Sequence, residues 1–357
     1  MFVALRDIRF ARGRFALMGA VVALITTLVV FLYGLTGGLA ADSSSAIAGL
    51  PAQDVVFGAP QGATPGVSFS NSSVSAAQQS AWESAPGVGS VSPVGIAMSR
   101  LTTAGSASSV SVLGVPAALL PPLTAGTAPG AGQVAVGQKT ASADGVTVGS
   151  TVTVGARTLT VSGITADRSY GHAASVWTTV PTWQQVSGAT GPSALAVDPG
   201  SADTAALDRA QNTDTVSRGS ALAGIDGFSA EQGSLQMIQG FLFVVSALVI
   251  GAFFTVWTVQ RRTDIAVLKA VGASSGYLVR DALGQALILL LGGSLVGAGV
   301  GLAGGALLRG GGMPFVLGAA TVAVPVLAMV LLGLAGAALA VRRITSVDPL
   351  TALGANR

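Results

Sequence analysis

Residues 15–41 read FALMGAVVALITTLVVFLYGLTGGLAA, 27 positions without a charge. A helix needs roughly 20 apolar residues to cross the hydrocarbon core of a bilayer. A cleaved secretory core is only about 7–15 residues long. The run is therefore read as a retained transmembrane helix, although Arg6, Arg9, Arg12 and Arg14 precede it as they would a leader. At about 1.5 Å per residue it would be about 40 Å long against a hydrocarbon core of about 30 Å, so it must tilt or extend past the lipid.

Composition agrees with a membrane protein. Of 357 residues, 50% are hydrophobic and 9% charged, where a soluble domain usually carries about 25% charge. Three further spans follow: 231–260, with its apolar part from Met237 to Val259; 275–308, rich in Gly and Leu; and 314–341, which stops at Arg342 and Arg343. The last two are joined by a short link, 309–313 (RGGGM), as a helical hairpin.

Lys and Arg set the orientation. Arg6, Arg9, Arg12, Arg14, Arg261, Arg262, Lys269, Arg280, Arg342, Arg343 and Arg357 fall on one side, opposed there only by Asp7, Asp264, Asp281 and Asp348. That side is cytoplasmic and holds both termini, an amphipathic N-terminal helix over 1–14 and a tail over 342–357. The segment 42–230 lies outside the cell.

This outer segment is polar, rich in Gly, Ser, Thr and Ala. Residues 145–165 alternate Val with Thr or Ser between glycines, the pattern of two or three strands with tight turns. Residues 75–85 and 201–211 read as helices, and 58–70 as irregular. The expected fold is four transmembrane helices with a large α+β extracellular domain inserted between helices 1 and 2.

Several functions are excluded or disfavoured. There is no cysteine and one histidine, His172, so thiolate chemistry and an intrinsic multi-histidine metal site are absent. A formal charge of +3 is too small and scattered for nucleic acid. Residues 132–140 (GQVAVGQKT) nearly spell a phosphate-cradling loop, but one extra residue separates Gly137 from Lys139, and the stretch lies in the outer domain. No triad or carboxylate pair stands out, so the chain has no ATPase site, catalytic residue or cofactor of its own. His172 reads as a loop histidine.

Charge concentrates in 260–288, QRRTDIAVLKAVGASSGYLVRDALGQALI. A short helix, Thr263 to Val271, carries Ile265, Leu268 and Val271 at helical spacing. A Gly-Ala-Ser break follows, and Ser274 is the expected N-cap of the next helix. Periodicity alone suits a helix resting on lipid headgroups as well as one docked on a cytosolic partner. The stretch RRTDIAVLKAVGAS resembles the signature of the MacB/FtsX superfamily of ABC permeases, with Asp264 where many relatives have Glu. The 145–165 hairpin and the tail RRITSVDPLTAL (342–353) are similar to that family too, and the compact length is most like the heme-exporter (HrtB-type) permeases.

The resemblance implies a permease that works as a homodimer or half of a pseudo-dimer. It would bind two separate ATP-binding subunits that carry ATP and Mg. Segment 261–274 would be the coupling helix, with Arg262, Asp264, Lys269, Gly272 and Ala273 as the ATPase-coupling region. The complex would be an efflux transporter in a bacterial cell membrane. At the outer mouth of span two, Glu231 precedes Leu235, Ile238, Leu242 and Val245 on one helical face, with Met237 nearby. A carboxylate above an apolar stripe suits an amphiphile, heme first among the family's cargoes, with Glu231 or Met237 as candidate contacts to its iron. A non-transporting regulator that relays ATPase state outward, or an exporter of a drug, peptide or lipid, is the alternative.

Overall fold

The computed structural model describes residues 12–59, 62–260, 267, 271–311, 313–316 and 318–345. The chain divides into two units, 1–38 together with 233–357, and 39–232.

The first unit is helical. Among the described residues, four helices are long and apolar enough to cross a membrane: α1 (Arg12–Ala48), α7 (Phe228–Gln260), α8 (Ser275–Gly310) and α9 (Ala319–Thr345). α1 has 37 residues, about 55 Å at about 1.5 Å per residue, so it is longer than the apolar run that announces it. α8 starts where expected: the Ser274 side chain accepts the backbone N–H of Tyr277.

Small residues set the helix packing in this unit. Gly293, Gly297, Gly301 and Gly305 recur every four residues along one edge of α8. Through the first three, α8 approaches Val22, Ala23, Thr26 and Val30 of α1 at backbone distance. The Thr27 hydroxyl donates to the Gly297 carbonyl (3.0 Å) and Thr26 meets Ser294 (3.3 Å). This is the close crossing that small-xxx-small spacing permits in lipid, where hydrophobicity does not drive helices together.

The link between α8 and α9 is longer than the sequence suggested, because residues 314–316 fold back as irregular chain instead of opening the last helix. The Phe315 ring fills a notch over Gly34 and Gly305 and lies tilted against Phe31 with 5.4 Å between centroids. The Val316 N–H donates to the Gly34 carbonyl (3.0 Å). These contacts hold 314–316 off the helical path, so the fourth helix begins at Ala319.

The second unit is the inserted α+β domain. Its eleven strands run β1 (Asp54–Gly58), β2 (Ser90–Thr102), β3 (Ala107–Gly114), β4 (Leu123–Gly126), β5 (Gln133–Gly137), β6 (Thr151–Val154), β7 (Arg157–Thr165), β8 (Ser169–Tyr170), β9 (Ala173–Thr178), β10 (Ala194–Asp198) and β11 (Thr213–Ser217). Five short helices intervene: α2 (Ala76–Ser84), α3 (Gln138–Asp144), α4 (Val180–Ser187), α5 (Thr204–Gln211) and α6 (Arg218–Ala221).

β2 is shared by two subassemblies. Its first half pairs with β10 in the open order β11-β1-β10-β2. Its second half belongs to the ring β2-β3-β9-β5-β7-β6, which closes when Leu101 and Thr102 pair with Val154 and Thr153. The ring encloses a valine-rich core, with alternating pairs on β3 (Val110, Val112), β5 (Val134, Val136) and β6 (Val152, Val154) joined by Leu101 and Val161. Trp183 of α4 plugs it, seated over Gly95 and Gly114, which face each other on β2 and β3. Any Cβ at either glycine would lie 2.4 Å from the tryptophan.

The open part has a core on each side, because a strand sends alternate side chains to opposite faces. Val56, Leu195 and Val197 pack on Trp82 of α2, whereas Val55, Phe57, Ala194 and Ala196 join Ala46 and Ile47 at the end of α1. The expected hairpin in 145–165 is β6 and β7 around Gly155 and Ala156. The expected helices are α2, begun by a Ser75/Gln78 capping box, and α5, capped by Asp203.

Candidate functional site

α7 begins at Phe228, and its first turn carries Glu231. Glu231 is not a solitary carboxylate. Its Oε2 lies 2.9 Å from Nε2 of His172, whose Nδ1 is 3.3 Å from Oδ2 of Asp42 on α1. All three belong to the inserted domain.

The local chain explains why the histidine stands there. β8 and β9 are joined by Gly171 and His172, with Tyr170 paired to Ala173. Both linking residues have positive φ, 57° and 60°, which is the backbone of a type I′ hairpin turn. Such a turn favours Gly, Asn or Asp at both positions, and histidine is among the few other side chains enriched at positive φ. The turn is docked on α1 from below: the Gly171 N–H donates to the Ser43 carbonyl (2.8 Å), and the Ser169 N–H donates to the Ser45 hydroxyl (2.9 Å).

A neutral imidazole has one N–H; only the cation has two. With a carboxylate oxygen near each ring nitrogen, the arrangement favours the cation, which can donate to both. The His172 pKa is accordingly raised above its ordinary value, first by the hydrogen bond to Glu231, then by Asp42 and by the charges of both, with burial opposing. Nearby, burial raises the pKa of the Tyr170 phenol, with Asp226 adding to the effect. The side chains of His172, Asp42 and Glu231 are 42%, 39% and 29% exposed, so the cluster is in contact with solvent. It is not a metal-binding arrangement as it stands, since the two carboxylates face opposite edges of the ring.

The remaining residues singled out from the sequence are placed as follows. On α7, Leu235 and Ile238 share the face of Glu231, at four and seven residues further on. Met237, six residues on, is turned about 120° away. It joins Phe241, Val244 and Leu248 in a second, well exposed stripe. Glu231 and Met237 therefore do not form one pair on this helix. Arg262, Asp264 and Lys269 of the expected coupling helix lie outside the described residues. Gly272 is in a turn at φ 103°, and Ala273 leads into the Ser274 cap. The Val271 N–H donates to the Val267 carbonyl (3.0 Å), one helical turn at the end of that segment.

The loop-like stretch 132–140 is β5 running into α3, and the would-be phosphate position is taken. The Lys139 N–H donates to Asp167 Oδ1 at 2.8 Å, so a carboxylate of the chain already occupies this helix start. Asp42 carried no signal in the sequence, and His172 read as an ordinary loop residue. A histidine after glycine in a two-residue turn was the only hint.

Comparison with known proteins bears on the whole chain. Residues 15–213 match the MacB-like periplasmic core domain, and residues 237–349 match the FtsX-like permease C-terminal domain. The chain is 26% identical over 358 residues to a Staphylococcus haemolyticus protein named "Putative hemin transport system permease protein HrtB", with 99% of each chain covered. It is also 26% identical over 370 residues to an uncharacterized ABC transporter permease of Mycobacterium bovis, again with 99% of each covered. Among solved structures, the periplasmic region of MacB from Actinobacillus actinomycetemcomitans aligns with TM-score 0.38 and 13% identity over 49% of this chain and 92% of that one. Four membrane helices, a MacB-like domain between the first two and an FtsX-like remainder lead to one conclusion: the chain belongs to the MacB/FtsX family of ABC transporter permeases.

Proposed function

We propose that the chain is the permease subunit of an ATP-driven efflux transporter whose cargo is an amphiphilic compound, heme first. The observation that carries this reading is similarity over the full length of both chains to a relative named for hemin transport. ABC permeases work with an ATP-binding subunit, so ATP and Mg are assigned to the partner. The assembly is two copies of this chain with two ATP-binding subunits, in the bacterial cell membrane, with both termini cytoplasmic.

Segment 261–274 takes the coupling role, with Arg262, Asp264, Lys269, Gly272 and Ala273 gripped by the partner. Cargo is received at the start of α7, where Glu231 meets its polar or metal-bearing edge and Leu235 and Ile238 its apolar face. Met237 serves from the neighbouring stripe. An aromatic macrocycle with polar groups at its rim suits a carboxylate in the first turn of an apolar helix better than a fully apolar lipid does.

The test is hemin titration of the purified complex with its ATP-binding subunit. A Soret shift that weakens in Glu231→Ala supports the reading; an unchanged spectrum with the wild type removes heme as cargo. In the same preparation, Asp264→Ala is expected to sever ATPase activity from transport. Normal transport in that variant counts against the coupling role.

A further inference from the structure

Glu231 is the carboxylate assigned above to cargo, yet in this structure it is already engaged. Its partner His172 is delivered by a two-residue hairpin turn, in the left-handed backbone with φ at 60°. Three separate contacts fix that delivery. Asp42 holds the far ring nitrogen (3.3 Å), Ser43 takes the Gly171 N–H, and Ser45 takes the Ser169 N–H. From the turn so held, the ring sets its Nε2 2.9 Å from Glu231 Oε2. Other charged groups of these elements are spent elsewhere: Arg168 turns its guanidinium to the Asp167 carbonyl, and Asp226 accepts from Ser70.

We propose that His172 is an internal competitor for Glu231, a latch that cargo must displace before the carboxylate can be used. The latch rests on the reading that Glu231 receives cargo, and it adds a regulatory contact to that site. Because the pair is partly exposed, the competition is weak by design: ion pairs of this kind shift an equilibrium by about fivefold at most. A weak latch keeps Glu231 covered in the absence of cargo and yields to a ligand that binds even moderately well. Asn is the replacement of choice, since it accepts positive φ and so keeps the turn while removing the imidazole.

The experiment uses the full chain in nanodiscs. Carbodiimide with an amine nucleophile labels accessible carboxylates, read peptide by peptide by mass spectrometry. Glu231 in His172→Asn is expected to react about two- to fivefold faster than in wild type, and in Asp42→Asn by a smaller factor. Glu83, exposed on α2, serves as the internal standard for reagent, and an unchanged rate at Asp208, which accepts from the Thr213 and Thr215 hydroxyls, shows that the domain is still folded. Hemin is expected to bind His172→Asn tighter by a similar factor. An unchanged Glu231 rate overturns the latch. So does weaker hemin binding in His172→Asn, which would make the histidine a cargo contact. If Glu231 reacts faster but neither chain binds hemin, His172 covers Glu231 as described, heme falls as the cargo, and the latch role falls with it.

Discussion

Replacing Gly297 by alanine adds one methyl group where α1 and α8 touch. Built on the observed backbone, that Cβ lies 2.3 Å from the Ala23 carbonyl oxygen and 2.8 Å from the Thr26 Cβ. Non-bonded heavy atoms settle at about 3.5–4.0 Å, and the nearest obstacle is backbone, so no rotamer change relieves the clash. The two helices must separate locally by about 1 Å. Overpacking of this kind costs about 1–3 kcal/mol. Separation also stretches the Thr27–Gly297 hydrogen bond, now 3.0 Å, worth about 0.6 kcal/mol in a membrane protein. The total is about 2–4 kcal/mol, or roughly 4–16 °C in melting temperature at about 2–4 °C per kcal/mol for a unit of this size.

Gly299, on the same helix, is the matched control, because nothing lies within 4 Å of its Cβ position. Alanine there relieves the helix penalty of glycine, about 1 kcal/mol, and the variant should melt at or above wild type. Thermal unfolding of the three proteins in one detergent, followed by fluorescence-detected size exclusion, reads the comparison directly. Equal melting temperatures for Gly297→Ala and Gly299→Ala would falsify the packing argument.

Other outcomes follow from the same structure. Phe315→Ala should empty the notch over Gly34 and Gly305 at a cost of about 3–5 kcal/mol, measured by the same melt. Trp183→Ala should destabilise the closed strand ring by a similar amount, seen as faster amide exchange in β2 and β3. The raised pKa of His172 gives a pH dependence of known sign. Its contribution to stability is complete below about pH 6.5, the ordinary histidine value, and is lost as pH rises through the higher folded-state value. Unfolding of the inserted domain should show that loss on the alkaline side, by less than about 1 kcal/mol for so exposed a cluster, and the profile of His172→Asn should be flat there. Asp167→Ala should uncover the start of α3, costing about 0.5–2 kcal/mol in the stability of the domain.

Features that depend on neighbours in the chain were legible in residue order. A charge-free run reports lipid whatever it packs against, so the spans showed themselves without a fold. The Ser75/Gln78 box, the Asp203 and Ser274 caps and the turn between β6 and β7 are contacts across three or four residues, and each lies where its residues point. Hydropathy alone extends the fourth span back over Pro314 and Phe315, because both are apolar, whereas the helix starts at Ala319. Hydropathy cannot distinguish a residue that enters lipid from one that folds back against α1.

By itself, then, the sequence determined the membrane class, the inserted α+β domain and the family signature after α7, since all three are written in local composition and short motifs. The tertiary structure alone decided which glycines are contact points. Gly297 and Gly299 look alike in sequence, and only the position of α1 separates them. It also decided that Glu231 has company. His172 and Asp42 stand 59 and 130 residues from their partners in the cluster, and no pattern of spacing carries a meeting across that distance. Such a meeting is set by the register of β8 on β9 and by the docking of their turn on the end of α1, where hydrogen bonds from folded backbone fix the positions of the side chains.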